Sequence, residues 1–175
     1  MASGDTLFVL TARSSSPTAT SAATPDTLAI TGATPDSYIP VLDFDGAADE
    51  HADWIGLEMP SNYEGSGISV QAWYAMDGTN GATAIELEVR AITFAEDDAL
   101  ATAKVIDTQP AATITDTPIN ATANELSVSG TATISHANIG SPAVGAMMMF
   151  RITRDISPAT NTDDLQFIKL RVTET

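Results

Sequence analysis

The 175-residue chain carries 23 acidic against 7 basic side chains, a formal net charge of −16, with no cysteine and only 6 % aromatics among its 43 % hydrophobic residues. That length suits one domain with an arm attached. The charge argues against binding to nucleic acid or an anionic membrane, which calls for clustered Lys and Arg, and the missing thiols exclude disulfides, thiolate metal sites and cysteine nucleophiles.

Between a few bulky apolar segments the sequence is rich in Thr, Ala, Ser, Asp and Asn, a vocabulary of strands and turns rather than helices. No apolar run approaches the ~18 residues of a membrane span. The opening "MASGDTLFVLTARSSS" lacks the basic start and long apolar centre of a signal peptide. Residues 1–37 are Ser/Thr/Ala/Pro-rich and repeat "ATPD" at 23–26 and 33–36. Proline biases the residue before it toward extended backbone, and Pro-Asp favours a turn. These residues are expected to form an extended N-terminal arm preceding a domain of residues 38–175. Within the arm, Thr6, Leu7, Phe8, Val9 and Leu10 are the candidate partner-binding residues, able to add as a strand to this subunit or a neighbour.

Strand signals then recur. "YIPVLDF" (38–44) and "DWIGLEM" (53–59) come first. In "GISVQAWYAM" (67–76), Ile68, Val70, Ala72, Tyr74 and Met76 fall on one face, with Ser69, Gln71 and Trp73 on the other. "IELEVRAITF" (85–94) sets Ile85, Leu87 and Val89 against Glu86, Glu88 and Arg90. A short helix is expected over 95–103, with acids at its start, and a short strand over 102–108. In "ELSVSGTATIS" (125–135) the alternation points Leu126, Val128, Gly130, Ala132 and Ile134 inward. "GAMMMFRITRD" (145–155) is apolar on both faces and belongs in the middle of a sheet. In the last run, residues 164–174, simple alternation puts Gln166, Ile168, Leu170 and Val172 on one side and Leu165, Phe167, Lys169 and Arg171 on the other. About eight strands spaced by turn signals predict an all-β fold, an antiparallel β-sandwich of jelly-roll type with an extended N-terminal arm.

The acid-rich stretch "VLDFDGAADEHADW" (41–54) poses the main chemical question. Its Asp-x-Asp-Gly start resembles a calcium loop, but Trp54 stands where the EF-hand pattern needs Glu. Asp43 and Asp45 would share a strand face, as paired catalytic carboxylates do, and Glu86 with Glu88 form a second such pair. No substrate-shaping motif accompanies either. The simpler expectation is a strand ending at Phe44, a turn beginning at Asp45-Gly46, and solvated acids until Trp54 re-enters the core. His51 and His136 would need carboxylates to complete a zinc site. No Gly-x-Ser-x-Gly elbow and no phosphate loop occur, so neither an enzyme nor a cofactor is expected. Tyr63, Trp73 and Tyr74 form a possible glycan-stacking platform. The methionines of 147–149 suit core filling or a subunit interface.

Taken in order, residues 40–50, 59–75, 84–92 and 147–172 resemble small jelly-roll proteins encoded in the structural gene clusters of tailed bacteriophages. Leu42 to Asp45 match a Leu-Asp-Phe-Asp phrase, and Met59 to Gly67, with Tyr63, match a Leu-Pro-x-x-Tyr-x-Gly-Gly turn. Trp73 matches a strand tryptophan, and Arg151 to Asp155 an Arg-x-x-Arg-Asp segment. Met59 stands where Leu is usual, and the run Glu64, Gly65, Ser66, Gly67 splits the glycine pair. The resemblance implies a virion structural protein: a homotrimeric capsid decoration or cement protein on the outer capsid surface. Its partners would be the major capsid protein and its own copies, with neither nucleic acid nor membrane. It also implies that the acids of the 41–54 stretch serve architecture, satisfying turn amides or pairing with Arg151 and Arg154. The alternative is a receptor- or glycan-binding module of a phage fibre or spike, using Tyr63, Trp73 and Tyr74. On the decoration reading, deleting residues 2–26 is expected to abolish capsid occupancy and leave a soluble trimer.

Overall fold

A computed structural model describes residues 4–16, 18, 20–30, 36–79, 83–100, 104–118 and 122–175. The second "ATPD" copy lies largely outside them, as do the last residues of the expected helix and the first two of the 102–108 segment. Eleven strands lie within the described residues: β1 (Thr6–Thr11), β2 (Thr24–Ile30), β3 (Ser37–Phe44), β4 (Glu50–Glu58), β5 (Ile68–Met76), β6 (Ile85–Phe94), β7 (Ala112–Asp116), β8 (Ser127–Val128), β9 (Ala132–Ile134), β10 (Met147–Arg154) and β11 (Leu165–Glu174).

They build two antiparallel sheets. Sheet A runs β2-β3-β11-β5-β8, with β1 also on β11 and β9 also on β5, and sheet B runs β4-β10-β6-β7. From β3 to β11 the chain alternates between the sheets, except that β6 and β7 follow each other in sheet B and β8 and β9 in sheet A. Strand order β3-β11-β5-β8/β9 facing β4-β10-β6-β7 is the double Greek key of a jelly roll.

Periodicity explains the core. In β5 the residues 68, 70, 72, 74 and 76 are buried, and β6 buries Ile85, Leu87 and Val89. β10, apolar on both faces, lies between β4 and β6. Large rings join the two layers. Phe167 of β11 packs 5.6 Å from Trp54 of β4 and 6.3 Å from Phe44, and Phe8 of β1 meets Phe150 of β10 edge-on at 5.4 Å. Such contacts add to the ~25 cal/mol per Å² expected from apolar burial.

Two expected alternations change phase midway, each at one extra residue. β11 buries Leu165 and Phe167, then Leu170 and Val172. Its register on β5 skips Ile168, between Phe167 opposite Tyr74 and Lys169 opposite Trp73. A bulge places two successive side chains on one face, so Ile168 and Lys169 both point outward and Leu170 returns to the core. Between β8 and β9 the same slip occurs. Val128 stands opposite the outward Trp73, whereas Ala132 and Ile134 stand opposite the inward Val70 and Ile68. Ser127 and Ser129 are therefore buried, while Leu126 and Val128 face solvent.

Three boundaries also differ. β4 starts at Glu50 rather than Asp53, shortening the turn to 45–49. Residues 95–100 form a turn closed by the Asp98 carboxylate on the Ala95 amide at 2.7 Å, not a helix. The described part of 102–108 ends in a 3-10 turn, Ile106–Thr108, and the strand follows it as β7.

The described part of the N-terminal segment is stitched into the sandwich. β1 pairs with β11, Ser16 and Ala22 bridge to Asp53 and His51 of β4, and β2 pairs with β3 along its length. A 3-10 turn (Ala12–Ser14) ends β1, and Trp54 Nε1 donates to the Thr11 carbonyl at 3.0 Å.

Candidate interaction surface

The acid-rich stretch is architectural around one buried cation. Arg154 ends β10 with its side chain inside the sandwich, where it donates to the carbonyls of Phe44 and Asn161, each at 2.9 Å. Burial pulls its guanidinium below its usual value, and the surrounding Asp164, Asp45, Asp77 and Asp163 oppose that. The acids also cap loops. Asp45 accepts from the Ala47 amide at 2.7 Å, Asp164 from Gly46 at 2.8 Å, Asp77 from Asp164 at 2.9 Å, and Asp49 from Ile156 at 2.9 Å. Gly46 is required here because a Cβ would run into the Thr162 carbonyl. Asp53 and Arg151 form a two-pronged pair, 2.7 Å on each prong, with Asp107 at 2.6 Å on the remaining nitrogen. Asp53 is thus buried and paired rather than solvated.

Asp43 is the exception. Its Oδ1 and the Oε1 of Gln166, opposite it in the β3–β11 register, are buried with no hydrogen-bond partner among the described residues. Burial, followed by repulsion from Asp164 and Asp77, raises its carboxyl to about 6.

The three rings of the expected glycan platform are not brought together. Tyr74 is buried and donates to Asp116 at 2.7 Å, while Tyr63 is buried and hydrogen-bonded to His136 Nδ1 at 2.8 Å. Burial raises both phenols. Trp73 alone faces outward. The expected partner-binding strand is likewise engaged at home. Leu10 is buried, and Leu7 and Phe8 pack on the core, while Val9 points outward. Deleting residues 2–26 would therefore strip β1 from its own sandwich.

Glu86, Glu88 and Asp155 lie on the outward face of sheet B with carboxylate oxygens within 4.8 Å of one another. Burial and then the charges of Asp155 and Glu88 raise Glu86. Arg90 pairs with Glu88 at 2.7 Å. His51 and His136 are held on different elements and share no ligand cluster among the described residues.

The outward face of sheet A is different in kind. Lys169 Nζ lies 4.5 Å from the centroid of the Trp73 ring, and Arg171 lies 5.2 Å from it. Arg171 also donates to Gln71 Oε1 at 2.7 Å. Val9 stands opposite Arg171 in the β1–β11 register and Val128 opposite Trp73, 52 % and 45 % exposed respectively. This ridge exists because the Ile168 bulge turns Lys169 and Arg171 outward, onto Trp73, the aromatic that β5 presents on that face. The sequence of β11 alone did not point to its aromatic partner on β5. The β5–β11 register was needed.

Searches against protein-family models and against curated proteins find no match to this chain.

The ridge also holds the chain's spare positive charge. Of seven cations, Arg154 is buried, and Arg90, Lys104 and Arg151 are paired with Glu88, Asp98 and Asp53. Among the described residues no carboxylate pairs with Arg13, Lys169 or Arg171. These three stand on or beside the outward face of sheet A. Arg13 and Lys169 line a groove of about 420 Å³ where β1 and β3 fork away from β11.

Proposed function

We propose that this chain is a virion structural protein: a homotrimeric decoration subunit that seats on a capsid shell and stabilises it by binding, without catalysis. The observation that carries this reading is the ridge of Trp73, Lys169 and Arg171. A chain of net charge −16 keeps its unpaired cations together with exposed apolar side chains on one face. Aromatic and Arg side chains flanked by apolar residues are the composition of energetic centres in protein interfaces. The jelly-roll architecture and the motif order 40–50, 59–75, 84–92, 147–172 support the same reading. Among the carboxylates that could serve chemistry, Asp45, Asp49 and Asp155 cap loops and Asp53 and Glu88 sit in ion pairs, which leaves Asp43 and Glu86.

The mechanism is linkage. A subunit that binds the assembled shell and not its dissociated parts stabilises it by RT ln(1 + [L]/Kd). Three-fold closure turns modest single contacts into a tight assembly through effective concentration. The acidic opposite face, turned outward, would keep particles apart.

The test is purification of intact particles and quantification of the chain against the shell protein. A copy number scaling with the shell's subunits supports the reading; absence from particles, or a number matching a few fibres, counts against it. The variant K169E/R171E should lose at least about tenfold in occupancy while melting within about 2 °C of the parent. Unchanged occupancy would move the binding surface elsewhere.

A further inference from the structure

The fork in sheet A leaves part of one strand edge without a strand partner among the described residues. β3 pairs with β11 only over residues 42–44, and with β2 over residues 37–43 on its other side. From residue 41 back to residue 37, the edge turned toward β1 has no strand partner among the described residues. β1 occupies the other branch, pairing with β11 up to Thr11 opposite Lys169.

Three features converge on this edge. The space between the branches, about 420 Å³, is the size of a pocket for one or two side chains. Its walls are apolar: Tyr38, Ile39, Pro40 and Ile168. Its rim carries Arg13 and Lys169, which have no carboxylate partner among the described residues of a chain of net charge −16. Tyr38 remains 60 % exposed at the mouth.

An open strand edge recognises extended backbone, because an added strand completes its ladder. An apolar recess takes alternate side chains of that strand, and unpaired cations select carboxylates at the positions between. We propose that the β1/β3 fork is a docking groove for an extended acidic segment of a partner protein, added as a strand along residues 37–41 of β3. One bulky apolar side chain would seat between Tyr38, Pro40 and Ile168, with flanking carboxylates on Arg13 and Lys169. The ridge of Trp73 would then position the partner's body beside the captured strand. The inference rests on the reading of the chain as a docking subunit and supplies the chemistry of what it docks.

The test uses the full chain, isotopically labelled, titrated with an acetylated hexapeptide alternating aspartate with leucine. Saturable shifts are expected in the amides of residues 37–39 and 41, on either side of Pro40, which has no N–H to donate. R13E/K169E should weaken binding at least about tenfold, with R13Q/K169Q intermediate and all variants folded by circular dichroism. A peptide with lysine for aspartate should not bind. Nor should one N-methylated on alternate residues, because it cannot form the ladder. Equal binding by R13E/K169E, or equal binding of the methylated peptide, would overturn the groove in favour of diffuse polyanion attraction. Sedimentation without peptide provides a further arm: if copies of the chain self-associate and R13E/K169E dissociates them, the groove belongs to a second copy and the proposal falls. A failed titration leaves particle binding standing, whereas a positive titration with no binding to particles leaves the groove standing and removes the capsid reading.

Discussion

The two outward faces of the sandwich carry charge in opposite ways. On sheet B, arginine is used up locally: Arg151 is clamped by Asp53 and Asp107, and Arg90 by Glu88. The residue charge there is acidic and concentrated in Glu86, Glu88 and Asp155. On sheet A, Lys169 and Arg171 rest on an indole and a glutamine instead of on carboxylates. A cation on an aromatic face is held in position yet keeps its charge available, and the interaction is worth about 0.5–1 kcal/mol at exposed sites. A cation held by two carboxylates contributes to the fold and offers nothing to a partner. The first arrangement suits recognition and the second suits rigidity.

The comparison predicts that substitutions in the B-sheet arginine network cost stability and that substitutions on the A-sheet ridge cost binding. The largest loss is expected for Arg154→Ala, at the inner end of β10. It would leave the Phe44 and Asn161 carbonyls unpaired and the surrounding aspartates uncompensated, costing about 3–5 kcal/mol in urea denaturation. A cost below about 1 kcal/mol would show that water substitutes for the guanidinium. Next comes Asp53→Ala. It leaves Arg151 with the exposed Asp107 alone and should cost about 2–3 kcal/mol, far more than the K169E/R171E ridge variant. Equal losses in the two would erase the distinction between the faces.

The smallest effect sharpens the comparison at the far end of sheet A. Asp43 titrates near 6 in the folded chain, above its ordinary 3.8. As pH falls from 7 the folded chain therefore takes up this proton before the unfolded chain does. Asp43 should make stability rise on acidification through pH 6 and level off below about 4. Asp43→Asn should flatten that part of the profile and stabilise the chain at pH 7 by about 1 kcal/mol, a figure reduced for solvent screening of a partly exposed group. The difference between parent and variant at pH 7 and pH 4.5 measures it; a difference that does not change with pH would place the Asp43 titration in its normal range.

The sequence was informative where the chain is regular. Alternation in 68–76 and 85–90 named the buried faces of β5 and β6, and the doubly apolar 147–150 run placed β10 inside its sheet. It misled where one residue is inserted. Leu126 and Val128 look like core by alternation, yet Ser127 and Ser129 take the inward positions because the chain slips before Ala132. The bulge at Ile168 had the same effect on β11. One available signal was the apolar set Leu165, Phe167, Leu170 and Val172, which fits a single face only with a phase change. The site was harder to read because its parts are distant in sequence. Trp73 meets Lys169 only through the β5–β11 register, and Arg13 approaches Lys169 only at the end of β1. Arg154 left a trace in sequence, since it continues the inward series Met148, Phe150, Ile152, where an arginine has to be buried.

The position of β11 has a further consequence, for synthesis on the ribosome. Every other strand described here is made before it, yet it lies between β5 on one side and β1 with β3 on the other. β1 waits for β11, and until residues 165–174 emerge sheet A has a gap between β5 and the pair β1 and β3. Closure of the sandwich is therefore a late event that joins distant parts of the chain, the kind of topology that folds slowly and exposes unpaired edges meanwhile. The abundant aspartates and glutamates would then have an earlier task, keeping nascent chains from pairing with one another before that final ribbon is in place.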